Sequence, residues 1–448
     1  MPAPTPNTMK AYVVKKYKSP MEAGDAPEPT VGDHDVLVDI HAAGVNMLDA
    51  KIRDGDFKLI LPYKTPFTLG HDLAGVVTSV GTAVTRFSVG DEVYGRPRDH
   101  RIGTFAERIA VHADDLAIKP ASLSMAEAAS VPLVALTAWQ ALVERANLQP
   151  GQKVLIHAGS GGVGTYAIQL AKHLGATVAT TTGTSNVEWV RDLGADVVID
   201  YRSQDFETVP HDYDVVLDSQ GGDTLARSLG VLKPGGIAIG IAGPPDPEFA
   251  RRQALRLPLR LVMALLSLKT RRAARRRGVR YSFLFMRASG AQLDEITKLI
   301  DSGVLRPIVD RTYLFDEAPP PSPTSKAAAP RARWSSRWSD ARRVRLPSAP
   351  PPQRARSNRP RAWRRSSTRR VPSASHRSGA RWPRPPCSTG RRRHRRATAP
   401  RPWGDDCAFR LGCEGLTRPA LDDRNGRHAV VSGTELAPAL GLRARVAA

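Results

Sequence analysis

Cysteine is all but missing from this chain: of 448 residues only Cys387, Cys407 and Cys413 carry a thiol, and all three lie near its end. Everything before them is without a disulfide and without a cysteine ligand for a metal. That fits a reducing, cytoplasmic setting. Long apolar runs are missing as well. The most apolar stretch, Leu257 to Leu268, is interrupted by Arg260 and falls well short of the ~20 residues that a membrane span needs. The first residues, Met1-Pro-Ala-Pro-Thr-Pro-Asn-Thr, have neither the basic start nor the apolar run of a secretory signal. A soluble protein without a membrane span is the expectation.

Acidic residues run shortest toward the end of the chain. Up to Glu317 basic and acidic residues balance at 36 each, whereas the 131 residues from Ala318 onward hold 30 basic and 7 acidic ones. The whole formal charge of +23 therefore sits in that last part, whose text is dominated by Arg, Pro, Ser and Ala. Its composition predicts a disordered, low-complexity tail.

The compact part changes rhythm along its length. From Ala11 to about Pro120 short apolar runs such as Val36 to His41, Gly75 to Gly81 and Gly90 to Gly95 alternate with glycine turns, which predicts a small, mainly β, barrel-like domain. A helical pattern runs from Ser124 to about Arg145. Between Gln149 and Gly243 strands and helices alternate: strands over Val154–Ala158, Thr177–Thr182, Val197–Asp200, Val215–Asp218 and Ile237–Ile241, helices over Tyr166–Leu174 and Asn186–Leu193. Such alternation predicts an α/β domain with a doubly wound parallel sheet. Residues 244–280 form a basic insert with an apolar centre. Two readings are open, a helix whose arginines are solvated or a basic amphipathic helix that touches a membrane surface or acidic partners. Ordinary α/β text returns at Tyr281 and continues to Glu317.

The chemistry-bearing motif is the turn Gly159-Ser160-Gly161-Gly162-Val163-Gly164. An apolar strand runs into it, a helix opens from it, and a second strand ends about 20 residues on, as a dinucleotide site requires. Gly159 suits the tight turn, Gly161 lets backbone approach a pyrophosphate, and Gly164 lets helix pack on sheet. The helix N-terminus then offers N–H groups and partial positive charge to phosphates. An Asp or Glu at the end of the second strand would bind the ribose hydroxyls of NAD(H), but the text there is Thr180-Thr-Thr-Gly-Thr-Ser. NADP(H) is favoured, with Thr182, Thr184 and Ser185 as hydrogen-bond donors to a 2′-phosphate and Tyr201 and Arg202 as further contacts.

Taken as a set, Gly44-Val-Asn-Met-Leu-Asp-Ala-Lys-Ile-Arg-Asp-Gly, Leu69-Gly-His-Asp-Leu-Ala-Gly, Gly103-Thr-Phe-Ala-Glu, the glycine turn, Leu193-Gly-Ala-Asp-Val-Val-Ile-Asp-Tyr and Leu232-Lys-Pro-Gly-Gly resemble the quinone oxidoreductase branch of the medium-chain dehydrogenases/reductases. The resemblance covers roughly Met9 to Glu317. It implies a GroES-like catalytic domain over 9–125 that is rejoined by 281–317, a Rossmann nucleotide-binding domain over 126–280, and a cleft at their junction. It implies hydride transfer from NADPH to a quinone or an α,β-unsaturated carbonyl, and a homodimer. The zinc-dependent relatives carry a Cys at the place of Asn46, so His71 and Asp72 cannot complete such a zinc site, and His71 is expected to be a packed or surface residue.

By the same resemblance Asn46 lines the nicotinamide pocket, Asp49 and Arg53 hold its wall, and Thr137, Val163, Ile241, Gly243 and Phe285 adjoin the nicotinamide. Some relatives have a Tyr where this chain has Lys51, which leaves Lys51 or water to deliver a proton. A helix-cap role for Asp49 and a solvated Lys51 are the alternatives. Other readings of the whole are an alcohol or aldehyde dehydrogenase of the same superfamily, or a protein that binds NADP(H) without turnover.

After Phe315-Asp-Glu-Ala the relatives close with a helix and a last strand, and this text does not. Back-translation in another frame from Pro321 yields V-A-Y-L-E-S-G-R-A-P-R-K-V-V-V-K-V, which resembles that ending. Residues 318–448 are thus expected to follow a frameshift near Pro319 to Pro321, with no specific nucleic-acid role and with an open strand edge left in the catalytic domain.

Overall fold

The computed structural model describes residues 7–209, 212–315, 333–336 and 427–431. Most of the expected tail, 318–448, lies outside the described residues.

The first part is built on strands β1 (Thr8–Val14), β2 (Glu22–Pro27), β3 (Asp35–Val45), β4 (Phe67–Thr68), β5 (Asp72–Val80), β6 (Glu92–Gly95), β7 (Arg108–His112) and β8 (Leu116–Ile118), with helix α1 (Met47–Asp54) between β3 and β4. β1 pairs with β2 and β4 in a small sheet, while β3, β5, β6 and β8 follow one another in a larger antiparallel sheet. Leu69, Leu73, Val77, Val93 and Phe105 form part of its core. The expected mainly β domain is observed.

The predicted helix from Ser124 to Arg145 is two helices, α2 (Met125–Ala129) and α3 (Pro132–Trp139), followed by a wider π turn over Gln140–Arg145. The break is at Pro132. It has no N–H to continue the hydrogen-bond ladder, but its fixed φ suits the first position of a new helix.

The second part is the doubly wound sheet. Its elements are β9 (Lys153–Ile156), α4 (Gly162–His173), β10 (Thr177–Thr182), α5 (Val187–Arg191), β11 (Val197–Asp200), β12 (Tyr213–Asp218), α6 (Gly222–Ser228), β13 (Leu232–Gly240), three helices of the insert, α7 (Pro247–Arg252), α8 (Leu257–Leu266) and α9 (Leu268–Arg276), and then β14 (Arg280–Phe283). The strands lie in the order β11-β10-β9-β12-β13-β14, all parallel. Every residue of β12 is buried, as a strand covered on both faces demands. The expected helical insert is present. β14 belongs to the parallel sheet, so that sheet reaches slightly beyond the boundary read at residue 280.

The chain then returns through α10 (Gly290–Asp301) to the first part. The Tyr94 hydroxyl donates to the Leu293 carbonyl at 2.9 Å, and Arg86 pairs with Asp294. A last short strand, β15 (Thr312–Tyr313), is joined by β16 (Arg333–Ser336) and β17 (Arg427–Val431). β17 hydrogen-bonds in parallel to Ala42–Val45 of β3. This corrects the expectation of an open edge: the stretch of β3 that β7 leaves uncovered is paired, because backbone N–H and C=O groups find a partner strand whatever its side chains.

Candidate active site

The glycine turn joins β9 to α4 at the carboxyl end of the sheet. Its tightest backbone position is not a glycine: Ala158 has φ +55°, whereas Gly159 is absent from the left-handed positions. This corrects the sequence reading of Gly159. A Cβ there would meet the Thr180 hydroxyl at 2.1 Å, so glycine is needed for room beside β10. At Gly164 a Cβ would meet the Ala158 carbonyl oxygen at 2.2 Å and the Gly159 Cα at 2.7 Å. Glycine at both positions seats α4 directly on the turn. Gly161 is its N-cap and Gly162 its first residue, and Gly159 donates its N–H to Thr181 O at 2.8 Å. The first N–H groups of such a helix have no acceptor within it and point at whatever lies over the turn. Ser160 is half-buried on the same turn.

At the end of β10 the Thr182 side chain is buried with its hydroxyl unpartnered. Thr184 and Ser185 follow in an exposed turn, but Thr184 donates to the Asp200 carboxylate at 2.7 Å. Asp200 stands beside Thr182 across the β10–β11 pair. The sequence showed no acid on β10 itself, and the fold brings one alongside from β11. The Thr184 hydroxyl and the Arg202 N–H hold the Asp200 carboxyl below its ordinary range, as a carboxylate. Tyr201 and Arg202 are exposed next to it. A buried hydroxyl without a partner and a helix N-terminus seated on a glycine turn match what a nicotinamide dinucleotide needs at its ribose and pyrophosphate.

A cleft opens where this edge of the parallel sheet faces the first part. One wall is Ala158, Val163 and Gly164 of the turn, with Ser219, Ile241, Ala242, Leu284, Phe285 and Met286 beyond the ends of β12, β13 and β14. The other is Asn46, Met47, Leu48 and Lys51 at α1, together with Phe57 and Arg96. Leu133, Val134 and Thr137 of α3 close the back, and Thr137 donates its hydroxyl to Leu133 O at 2.7 Å. Phe285 stands 5.4 Å from Phe57 and 5.9 Å from Phe249 between ring centres, so an aromatic wall links the two parts. A ligand crevice outside the carboxyl ends of parallel strands is the place that an open α/β sheet provides.

Of the residues expected at this site, Asn46, Lys51, Thr137, Val163, Gly164, Ile241 and Phe285 line the cleft. Asp49 and Arg53 do not. Asp49 is fully buried, accepts from the Asn46 N–H at 2.7 Å through one oxygen, and holds His71 Nδ1 at 2.6 Å through the other. It caps α1 and fixes its neighbours. Arg53 is buried and bonds Asp54 at 2.9 Å. Gly243 lies behind the wall, where a Cβ would meet the Tyr281 hydroxyl at 2.4 Å. His71 is a packed histidine, 0% exposed.

Asn46 is held in place from behind. Its Nδ2 donates to Asp72 at 2.9 Å, and the Leu133 N–H donates to the other Asp72 oxygen at 3.0 Å. Burial pushes the Asp72 carboxyl well up from its ordinary range, against the pull of those donors. The cluster of Asn46, His71 and Asp72 does not suit a zinc ion, since Asn46 and His71 are already tied up by the Asp72 and Asp49 carboxyl groups and no thiolate is present. Among the described residues no group of three or more His, Cys, Asp or Glu is placed to hold a metal.

Arg96 was not foreseen. It follows directly on β6, is 1% exposed, and gives only Nη2 to Asp99 at 2.6 Å. Its Nε and Nη1 are buried without partners at the cleft. A position at a strand end beside a glycine was the available signal. Ser219, at the carboxyl end of β12, could have been found from its strand-end position alone.

The site's architecture defines a two-domain oxidoreductase that sets a nicotinamide dinucleotide against a cleft between a β domain and a parallel sheet. Residues 32–121 match the alcohol dehydrogenase GroES-like domain and residues 193–320 the zinc-binding dehydrogenase model. The chain is 35% identical over 308 residues to the mitochondrial NAD(P)H oxidoreductase RTN4IP1 of Mus musculus, a match that spans 64% of this chain and 77% of that one. It is 38% identical over 261 residues to the chloroplastic NADPH-dependent alkenal/one oxidoreductase of Arabidopsis thaliana, covering 56% and 66% respectively. The quinone oxidoreductase structure from Coxiella burnetii superposes with a TM-score of 0.61 at 30% identity, covering 69% of this chain and 93% of that one. The chain belongs to the medium-chain dehydrogenase/reductase superfamily, in its zinc-independent, quinone oxidoreductase-like branch.

Two predictions follow from the packing. Gly164→Ala forces α4 away from Ala158 and Gly159, costing about 1–3 kcal/mol of stability. NADPH affinity measured by calorimetry should fall about 100-fold or more, and an unchanged affinity would remove the close approach from the account. The second concerns pH. Burial raises the Asp218 carboxyl from 3.8 to about 6 and lowers His157 from 6.5 to about 4. Between about pH 4 and 6 native Asp218 keeps a proton that the unfolded chain has lost, so its contribution to stability falls as pH rises. Native His157 lacks a proton that the unfolded chain binds, so its contribution rises over about pH 4 to 6.5. Asp218→Asn removes only the falling part. The variant's stability relative to wild type should climb by on the order of 1–3 kcal/mol from pH 4 to 6 in urea titrations, and a flat difference would contradict the assignment.

Proposed function

We propose that the protein is an NADPH-dependent reductase of quinones or of carbon–carbon double bonds conjugated to a carbonyl, working without a metal. The single observation that carries this reading is the cleft itself, where the glycine turn faces a buried arginine with two unpartnered donors across a largely apolar slot. The names of the relatives support the same chemistry and the same cofactor.

When bound, the dihydronicotinamide supplies a hydride to an electrophilic carbon. The chain's own residues do the rest. The turn from Gly159 to Gly164 holds the pyrophosphate, with backbone of Ser160, Gly161 and Gly162 at the helix N-terminus. Thr182 donates to the adenosine ribose or its 2′-phosphate, and Ser185, Tyr201 and Arg202 border that phosphate. Thr184 takes part only on releasing Asp200.

Val163, Ile241 and Phe285 hold the ring face against the acceptor and keep water out. Arg96 donates to the acceptor's carbonyl oxygen, where negative charge grows as the adjacent system is reduced. A preformed donor in a water-poor cleft stabilises that charge more than water would. Asn46, fixed by Asp72, positions the acceptor, and Lys51 delivers the proton that completes reduction. Asp49 acts as a positioning residue through Asn46 and His71.

A homodimer in the cytoplasm belongs to this reading. β14 ends the parallel sheet and has no outer partner strand among the described residues, so two copies can join edge to edge.

Purified protein should oxidise NADPH in the presence of a quinone or an enone and continue after chelator treatment. Binding of NADPH with no turnover across a broad acceptor panel would instead mark a non-catalytic binding protein. Arg96→Met should lower kcat/KM for the acceptor by about 10²–10³-fold while NADPH affinity stays the same. Equal losses in both would show that Arg96 only supports the fold.

A further inference from the structure

The insert between β13 and β14 is the largest feature that the reductase chemistry leaves unexplained. On α8 Leu257, Leu261, Val262, Leu265 and Leu266 are 68%, 59%, 43%, 70% and 57% exposed. Their spacing of four residues and one puts them on a single helix face, and Met263, 3% exposed, turns to the interior. Five large apolar side chains together in water are unfavourable and mark a surface that is covered in use.

The charge around that face says by what. Residues 251–280 hold eleven Arg or Lys and no Asp or Glu, and the first acids on either side are Glu248 and Asp294. Arg256 and Arg260 flank the leucines on α8, and Arg272, Arg275 and Arg276 are exposed on α9. A second copy laid face to face on α8, as distinct from one paired along β14, would bring one cationic rim against another, which like-charge repulsion opposes. A nucleic acid would neutralise the rim and leave the leucines wet. An anionic bilayer answers both halves of the pattern, with the leucines below the headgroups and the long arginine stems reaching back to phosphate.

We propose that α8 lies on an anionic lipid surface, its leucine face inserted and the arginines of α8 and α9 at the headgroups. At ten residues α8 is too short to cross a bilayer, and among the described residues no helix is long and apolar enough to do so. The surface stands on its own, whatever the acceptor proves to be. It is nonetheless joined to the cleft, because Phe249 of α7 packs 5.1 Å from Phe283 and 5.9 Å from Phe285.

The test is co-sedimentation of the full chain with phosphatidylcholine vesicles, with and without phosphatidylglycerol, alongside light scattering for oligomeric state. Because the tail beyond Glu317 is itself strongly basic, the deciding comparison is the double variant Leu261→Glu, Leu265→Glu, with its thermal midpoint as the check on folding. The wild type should bind only the anionic vesicles, and the variant should bind them at least about tenfold more weakly with an unchanged midpoint. Absence of binding, equal binding by the variant, or a leucine-dependent change in oligomeric state in place of lipid binding would each overturn the proposal. Should the glutamates unfold the chain, Leu261→Ser, Leu265→Ser gives the same comparison.

Discussion

The structure depends on how closely α4 approaches the turn that precedes it. With hydrogen in place of a side chain at Gly159 and Gly164, the helix starts against Ala158 and beside Thr180, at the carboxyl edge of the parallel sheet. That contact decides where the partial positive charge of the helix end sits. It also sets the level of Val163 and Gly164, and so the floor on which a dinucleotide and an acceptor meet. The β domain then only has to present a second wall at the right height, which α1 and the end of β6 do.

That second wall is held by a buried polar network rather than by a metal. Asn46, Asp49, His71 and Asp72 are all buried and bonded to one another in a chain from His71 through Asp49 and the backbone of Asn46 to Asp72. Removing one member leaves a buried charge or donor unsatisfied, so the network fixes the Asn46 side chain firmly. Where zinc-dependent relatives place a cysteine, this chain has an amide locked to its neighbour's carboxylate. In the proposed function the polarising group is Arg96, whose guanidinium is buried with donors to spare.

Much of this was legible in the sequence. The alternation of strand and helix from Lys153 to Gly240, the turn at Gly159 and the helical insert are local patterns, written in periodicity and glycine spacing. Gly164 could be read because only glycine survives a helix packed on its own turn. What stayed hidden depends on residues distant in the chain. Asp200 comes beside Thr182 only through the β10–β11 pairing, and Arg96 meets Asn46 only when β6 folds beside β5 and α1. Asp49, expected at the pocket wall, is turned inward by its bond to His71, which no spacing rule specifies. The break at Pro132 was readable and overlooked, since proline favours a helix start over its interior. The pairing of β17 on β3 reflects backbone demand, which a reading based on side chains does not see.

With a carbonyl oxygen held by Arg96, the proposed cleft directs hydride to the carbon conjugated with that carbonyl. Reduction of an enone with NADPH deuterated at its transferable position, followed by NMR of the product, tests it most directly. Deuterium is expected on the β-carbon, with the carbonyl intact. Deuterium on the carbonyl carbon, with an allylic alcohol as product, would contradict it and assign the chain to alcohol dehydrogenase chemistry.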